Sequence, residues 1–236
     1  MATRHLELIL WLARHQLGLL LSLLAIAVAG WVFLEIADEV IEGDTKAADE
    51  AIILWLREPG NPHDPIGPHW MAEFARDITA LGGTGVLVLV TAAVAGYLWL
   101  DRRFGALWLV VLATLSGTAL AYGLKSTFNR PRPELVPHLA ETFTSSFPSG
   151  HSMLSAVVYL TLGALLAQLA RAKRLKAYVL SVAVLLTGLV GFTRVYLGVH
   201  YPTDVVAGWS AGLFWAVVCL LIARYLQRRG AVEEPE

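Results

Sequence analysis

Apolar runs long enough to cross a membrane are the feature that most limits what this 236-residue chain can fold into. From Leu17 the chain is apolar up to Glu35, and a run of about 20 such residues spans the hydrocarbon core of a bilayer. We place six spans, at residues 17–37, 84–100, 104–124, 151–170, 175–195 and 204–226. The prediction is an all-α integral membrane bundle that forms a single domain over residues 1–236.

The composition agrees with this class of protein and argues against others. Charged residues make up 16% of the chain, against about 25% in an average soluble domain. The net charge of -1 argues against a nucleic-acid partner, which would need a basic surface. Cys219 is the single cysteine of the sequence, so an intrachain disulfide framework and a cysteine-based zinc site are excluded. We expect no metal, no cofactor and no obligate protein partner.

Two short apolar blocks interrupt the acidic segment 38–83 between the first two spans. The first block is 52–56, and the second, 70–81, has apolar residues at helical spacing and ends at Gly82-Gly83. We predict two short interfacial helices in this first outside loop. They either pack over the bundle or line a path by which a lipid enters. Residues 1–16 could form a further interfacial helix, and Ala27-x-Ala29 resembles a signal-peptide cleavage site, although the apolar run continues beyond it.

Clusters of basic residues predict the orientation in the membrane. Two tight connections, 101–103 and 171–176, are basic, and both ends of the chain carry further arginines. The positive-inside rule assigns such segments to the cytoplasmic side. Six spans with both termini in the cytoplasm satisfy all of these positions.

This orientation brings polar residues from distant parts of the chain to the outer face of the membrane. They lie in two stretches, 125–151 and 194–204. Arg130 and Arg132 stand in an outside loop against the positive-inside trend, which suggests a local role for them. Taken singly, each residue has an ordinary structural explanation, such as a helix cap at Ser149. Their convergence on one face favours a functional site.

The residue types at this face suit phosphoryl transfer, which depends mostly on positioning and on stabilising negative charge. Arginine and lysine bind phosphate oxygens, and Ser149-Gly150 at a helix start offers backbone N–H groups and a favourable dipole. Of two histidines, one can attack phosphorus and the other can protonate the leaving oxygen. Asp204, four residues after His200, can orient that ring. This spacing favours His200 as the nucleophile and His151 as the acid.

Three motifs in these stretches resemble the type 2 phosphatidic acid phosphatase family, PAP2. They are Lys125-x6-Arg132-Pro133, Pro148-Ser149-Gly150-His151 and Thr193-Arg194-x5-His200-x3-Asp204. Thr193 stands where the family usually has serine, and it keeps a hydroxyl group. The resemblance implies a metal-independent phosphatase that works through a phosphohistidine. It assigns phosphate binding to Lys125, Arg132, Ser149, Gly150 and Arg194, the acid role to His151, and the nucleophile pair to His200 and Asp204. Vanadate-dependent haloperoxidases share the motifs but are soluble, so the six spans count against them.

We therefore expect a membrane enzyme that hydrolyses a lipid phosphate or diphosphate. Undecaprenyl diphosphate is the leading candidate, because several basic groups around one site suit a diphosphate and cleavage between phosphates has the better leaving group. Phosphatidylglycerophosphate, phosphatidate and lipid A 1-phosphate are alternatives, since the motifs do not distinguish them. A six-span transporter of anions or lipids is the alternative outside the enzymes, although it does not need His200 and Asp204 at this spacing.

Overall fold

Helices make up most of the computed structural model, which describes residues 2–140 and 144–230, without the side chains of 2–15, 169 and 228. The helices are α1 (Ala2–Glu42), α2 (Lys46–Trp55), α3 (His69–Ala80), α4 (Thr84–Leu100), α5 (Phe104–Thr127), α6 (Gly150–Ser155), α7 (Thr161–Leu169), α8 (Lys173–Tyr196) and α9 (Pro202–Arg228). A π-helical turn, Ala156–Leu160, joins α6 to α7. The all-α prediction is confirmed.

The predicted spans match the observed helices closely. Among the described residues, five helical runs are long and apolar enough to cross a membrane, where α6, the π-helical turn and α7 count as one run, Gly150–Gln168. The pair α3 and α4 makes a sixth if this pair, bent by 47°, counts as one span. The start of the chain differs from the expectation, because α1 runs unbroken from Ala2 instead of leaving a separate helix over 1–16. That segment holds no glycine or proline to stop a helix.

A small antiparallel hairpin replaces part of the loop that was expected between the two interfacial helices. Its strands are β1 (Arg57–Glu58) and β2 (Asn61–Pro65). Pro59 and Gly60 connect them, and Gly60 has a φ of 82°. Proline followed by a glycine with positive φ is the sequence of a type II turn, which explains why a hairpin forms here.

Helix α9 contacts α1, α6 and α8. Two glycines on α9 let α6 come close: a Cβ at Gly208 would lie 2.6 Å from the carbonyl oxygen of Ser149, and one at Gly212 would lie 2.6 Å from the carbonyl oxygen of Met153. Small residues permit this approach between membrane helices. The beginnings of α6 and α9 therefore lie side by side, and the Ser149 N–H donates to the carbonyl oxygen of Asp204 at 2.9 Å.

The segment from α2 to α3 packs over this same end of the bundle. Ile53 of α2 is fully buried in a cluster with Val136, Val195 and Tyr201. The Tyr196 hydroxyl, at the end of α8, donates to the carbonyl oxygen of Ile66 at 2.8 Å. These contacts agree with the first of the two roles expected for the loop.

Candidate active site

The turn between α8 and α9 brings Arg194, His200 and Asp204 together. Gly198 has a φ of 72° and reverses the chain after α8 ends. The backbone N–H of His200 then donates to the carbonyl oxygen of Arg194 at 3.3 Å. Pro202 is the first residue of α9, and the Asp204 carboxylate folds back to accept the backbone N–H of Tyr201 at 2.9 Å. The spacings in the third motif are therefore those of a helix end followed by a helix start.

The imidazole of His200 is held between a carboxylate and a guanidinium. Its Nδ1 lies 3.3 Å from Asp204 Oδ2, and its Nε2 lies 3.2 Å from Arg132 Nη1. Arginine only donates hydrogen bonds, so Nε2 must be the acceptor and Nδ1 must carry the proton. Burial lowers the pKa of His200 to about 3, more than the hydrogen bond to Asp204 raises it. The ring is therefore neutral at pH 7, with an unprotonated Nε2 directed towards Arg132.

Asp204 is completely buried, and each of its oxygens has partners. Oδ2 accepts from Ser146 Oγ as well as from Tyr201 and His200. Oδ1 accepts from Arg130 Nη1 at 2.7 Å. Ser146 and Arg130 are absent from the predicted site. The position of Arg130 against the positive-inside trend was a signal for a local role, whereas nothing in the sequence singles out Ser146.

Arg130 connects this carboxylate to a second one. Its Nη2 donates to Asp49 Oδ2 of helix α2 at 2.8 Å, and its guanidinium lies 4.2 Å from the centre of the Tyr201 ring. Burial alone would lower the pKa of Arg130, but the charges of Asp204 and Asp49 and the hydrogen bonds to them raise it overall. Arg130 is thus engaged by two carboxylates rather than directed at a substrate.

Three other cations, Lys125, Arg132 and Arg194, lie near the pair of His200 and Asp204. Lys125 Nζ donates to the carbonyl oxygen of Ser145 at 2.7 Å, and Arg132 Nη2 reaches the same oxygen at 3.4 Å. Arg132 is held further by the carbonyl oxygen of Val199 at 2.6 Å. Arg194 is buried with one donor on Thr79 Oγ1 at 3.1 Å, while its Nε has no hydrogen-bond partner among the residues that the structure describes. These side chains retain donors that an anion would satisfy.

The start of α6 places the remaining predicted residues beside Lys125. Ser149 Oγ accepts from the N–H of Ser152 at 3.4 Å and from the Ser152 hydroxyl at 2.9 Å, so Ser149 caps this helix. A Cβ at Gly150 would lie 3.1 Å from Lys125 Cε, so a larger residue there would push the lysine side chain aside by a few tenths of an ångström. Lys125, Gly150 and His151 line a cavity of about 130 Å³. All eight predicted site residues therefore lie at one end of the bundle.

Comparisons with known proteins agree with this geometry. The PAP2 superfamily model matches residues 106–228. Phosphatidylglycerophosphatase B of Bacillus subtilis is 34% identical over 187 residues, which cover 77% of this chain and 86% of that protein. A lipid A 1-phosphatase of Rhizobium johnstonii is 32% identical over 113 residues, which cover 44% of this chain and 42% of that protein.

A solved structure has the same fold. The crystal structure of a transmembrane PAP2-type phosphatidylglycerolphosphate phosphatase from Bacillus subtilis superposes with a TM-score of 0.78 at 30% identity, covering 86% of this chain and 98% of that one. The multi-span bundle and its cationic site thus define a membrane lipid phosphatase. The chain belongs to the PAP2 superfamily.

Proposed function

We propose that this enzyme hydrolyses a lipid phosphate monoester of the phosphatidylglycerophosphate type through a phosphohistidine on His200. The observation that carries the proposal is the state of the His200 ring. Asp204 holds Nδ1, Nε2 is unprotonated, and Arg132 lies 3.2 Å from that nitrogen. A nucleophilic imidazole needs an unprotonated, fixed nitrogen beside groups that bind phosphate oxygens, and Arg132 leaves Nε2 when it turns to a phosphate oxygen.

In the first step, the phosphate oxygens bind Lys125, Arg132 and Arg194 at the beginning of α6. His200 Nε2 attacks phosphorus and the ester bond breaks, while His151, protonated when the negatively charged phosphate is bound, gives this proton to the leaving lipid oxygen. The ring becomes positively charged, and the Nδ1–H bond to Asp204 stabilises that charge. In the second step, His151 accepts a proton from water, which attacks the phosphohistidine and releases inorganic phosphate.

These cations can do the charge stabilisation that a metal ion supplies in other phosphatases, so we propose that the enzyme is metal-independent. No group of three or more potential metal ligands occurs among the residues that the structure describes. Activity should survive EDTA, and vanadate should inhibit by mimicking pentavalent phosphorus. A chelated, inactive enzyme that magnesium restores would contradict the proposal.

The substrate class rests on the relatives and on the number of cations at the site. Of the two relatives described above, the phosphatidylglycerophosphatase aligns with this chain over 86% of its own length, and the lipid A 1-phosphatase over 42%. Undecaprenyl diphosphate, the leading candidate from sequence, was favoured because the basic groups Lys125, Arg132 and Arg194 suit a diphosphate. Arg130, a further basic residue of the same loop, is occupied by Asp49 and Asp204 and adds no cation for a second phosphate. Lys125, Arg132 and Arg194 remain, and three cations suit a single phosphoryl group with three equatorial oxygens. We therefore place undecaprenyl diphosphate second.

The cavity beside His151 supports entry of the lipid from the membrane. It lies between the beginning of α4 and the end of α5, with Thr84, Ala121 and Tyr122 in its wall. Tyr122 is 56% exposed on the side of the bundle. A lipid that enters here keeps its tail in the bilayer while its phosphate reaches Lys125.

We propose that this end of the bundle faces outside and that both termini are cytoplasmic.

Turnover of one set of substrates tests the reaction and its specificity. We expect phosphate release from phosphatidylglycerophosphate in detergent to have the highest kcat/KM, ahead of undecaprenyl diphosphate, phosphatidate, lipid A 1-phosphate and glucose-6-phosphate. His200→Ala should abolish release and the trapped phosphoenzyme. A His200→Ala variant with near wild-type turnover would remove the phosphohistidine mechanism, and a folded wild-type protein that releases no phosphate would favour a transporter.

Labelling tests the orientation. In a Cys219→Ala background, a membrane-impermeant thiol reagent should label His63→Cys on the exposed hairpin in intact cells. Lys173→Cys, at the opposite end of the bundle, should react after permeabilisation. The reverse pattern would place the active site in the cytoplasm.

A further inference from the structure

Asp49 lies outside all three sequence motifs, yet it is joined to the nucleophile by a continuous series of polar contacts. It belongs to α2, and 1% of its surface is exposed. Asp49 contacts Arg130 Nη2 at 2.8 Å, Arg130 Nη1 contacts Asp204 Oδ1 at 2.7 Å, and Asp204 Oδ2 contacts His200 Nδ1 at 3.3 Å. The first outside loop thus reaches the catalytic ring through two charged side chains.

The contacts leave the Arg130 guanidinium a single orientation. One nitrogen faces each carboxylate, and the face of the group stacks on Tyr201. Thr203 closes the arrangement: its N–H donates to Asp49 Oδ1 at 3.0 Å, and its hydroxyl oxygen accepts from Arg130 at 2.9 Å. A planar fork with each edge bonded cannot rotate without breaking several hydrogen bonds.

Arg130 in turn holds the rotation of the Asp204 carboxylate through Oδ1, together with the Tyr201 N–H, which donates to Oδ2 at 2.9 Å. Because Arg130 takes Oδ1, Oδ2 is the oxygen directed at His200 and Ser146. A rotation of the carboxylate would turn Oδ2 away from Nδ1 and release the ring. Nucleophilic attack depends on a near-attack geometry in which small displacements are costly.

We propose that Asp49 and Arg130 are positioning residues for the nucleophile, acting through Asp204 without touching the substrate. The proposal rests on the role of His200 stated above. It predicts that loss of the Asp49 charge lowers the rate of the chemical step and leaves substrate binding by Lys125, Arg132 and Arg194 intact.

Asp49→Asn is the variant that tests this with least disturbance. Asparagine has the same shape and keeps an oxygen for the Thr203 N–H. Arg130 and Asp204 remain a neutral pair, so the change strands no buried charge. Glu50→Gln is the matched control, because Glu50 is the next residue of α2, its side chain is 30% exposed, and it pairs with Lys46 rather than with the site.

We would purify Asp49→Asn, Arg130→Lys, the double variant and Glu50→Gln, and measure kcat and KM with the lipid phosphate that the wild type turns over fastest. We expect kcat to fall about 10- to 100-fold in each single variant with KM within about twofold of wild type. The kcat of the double variant should be no lower than that of the less active single variant, because both residues act through one carboxylate. Glu50→Gln should equal wild type.

Three outcomes would overturn the assignment. The first is a wild-type kcat in Asp49→Asn. The second is a double variant whose loss is the product of the single losses. The third is a loss of kcat that follows the loss of folded protein, measured by size exclusion and thermal unfolding, since Asp49 would then only hold α2 on the bundle. His200→Ala in the same assay separates the two proposals: if it is active, the phosphohistidine fails, and if it is inactive beside an unaffected Asp49→Asn, the positioning role alone fails.

Discussion

Removing the hydroxyl of Ser146 tests how strongly the Asp204 carboxylate is held. Ser146 is fully buried, and its Oγ donates to Asp204 Oδ2 while lying 3.3 Å from His200 Nδ1. Hydrogen bonds to charged groups contribute about 1.5–3 kcal/mol. Asp204 keeps its bonds to Arg130 and to the Tyr201 N–H in Ser146→Ala, so we take the lower end, about 1.5 kcal/mol. If that energy is lost from the transition state, kcat falls roughly tenfold.

Phosphate release at saturating lipid phosphate measures this effect, with thermal unfolding of the same preparation as a check on folding. Ser126→Ala is the control, because the Ser126 hydroxyl is exposed and bonds to the neutral carbonyl oxygen of Gly123 at 2.7 Å. We expect the control to keep its rate. A Ser146→Ala enzyme with wild-type kcat would show that this hydroxyl does not support the catalytic pair, and a raised KM with unchanged kcat would place Ser146 in substrate binding instead.

Three further predictions follow from the same geometry. His151→Ala should slow an alkyl phosphate far more than p-nitrophenyl phosphate, whose leaving group needs no proton; equal losses would contradict the acid role. The pKa of His200 is about 3 in the folded protein against an ordinary 6.5, so the stability due to its neutral ring is complete above pH 6.5 and is lost as the pH falls towards 3. The Tm of the wild type should therefore fall more steeply over this range than the Tm of His200→Gln, and parallel curves would contradict the assignment. Gly208→Ala should cost about 1–3 kcal/mol of stability by overpacking, because its Cβ would lie 2.6 Å from the Ser149 carbonyl oxygen; Gly188→Ala, with open space, is the control, and equal Tm values would refute the close approach.

Helical spans and the convergence of the motifs were predictable from the sequence because each leaves a local signal. A run of apolar residues has a length that can be compared with the bilayer, and basic connections report orientation. Together they predict that Lys125, His151 and His200 lie at one end of the bundle. The structure places all three at that end.

The partners of Asp204 were not predictable in the same way. Asp49 and Arg130 stand 81 positions apart, and a pairing across that distance has no periodicity in the sequence. In the sequence, Asp49 is one of several acidic residues in the segment 38–83. It is buried because Ile53 packs α2 onto the bundle. Ser146 had no signal either, because its position depends on how the loop before Pro148 folds back over α9.

The two faces of α2 divide the positions at which this loop can be redesigned. Ile52, Leu54 and Trp55 point outwards, with Trp55 76% exposed, whereas Asp49 and Ile53 point into the protein. An engineer who exchanges the loop for that of another phosphatase, to change the lipid accepted, also exchanges the contact with Arg130. Such a chimera needs a carboxylate at position 49 and a bulky aliphatic residue at position 53, while the outward positions can be varied to suit a different bilayer.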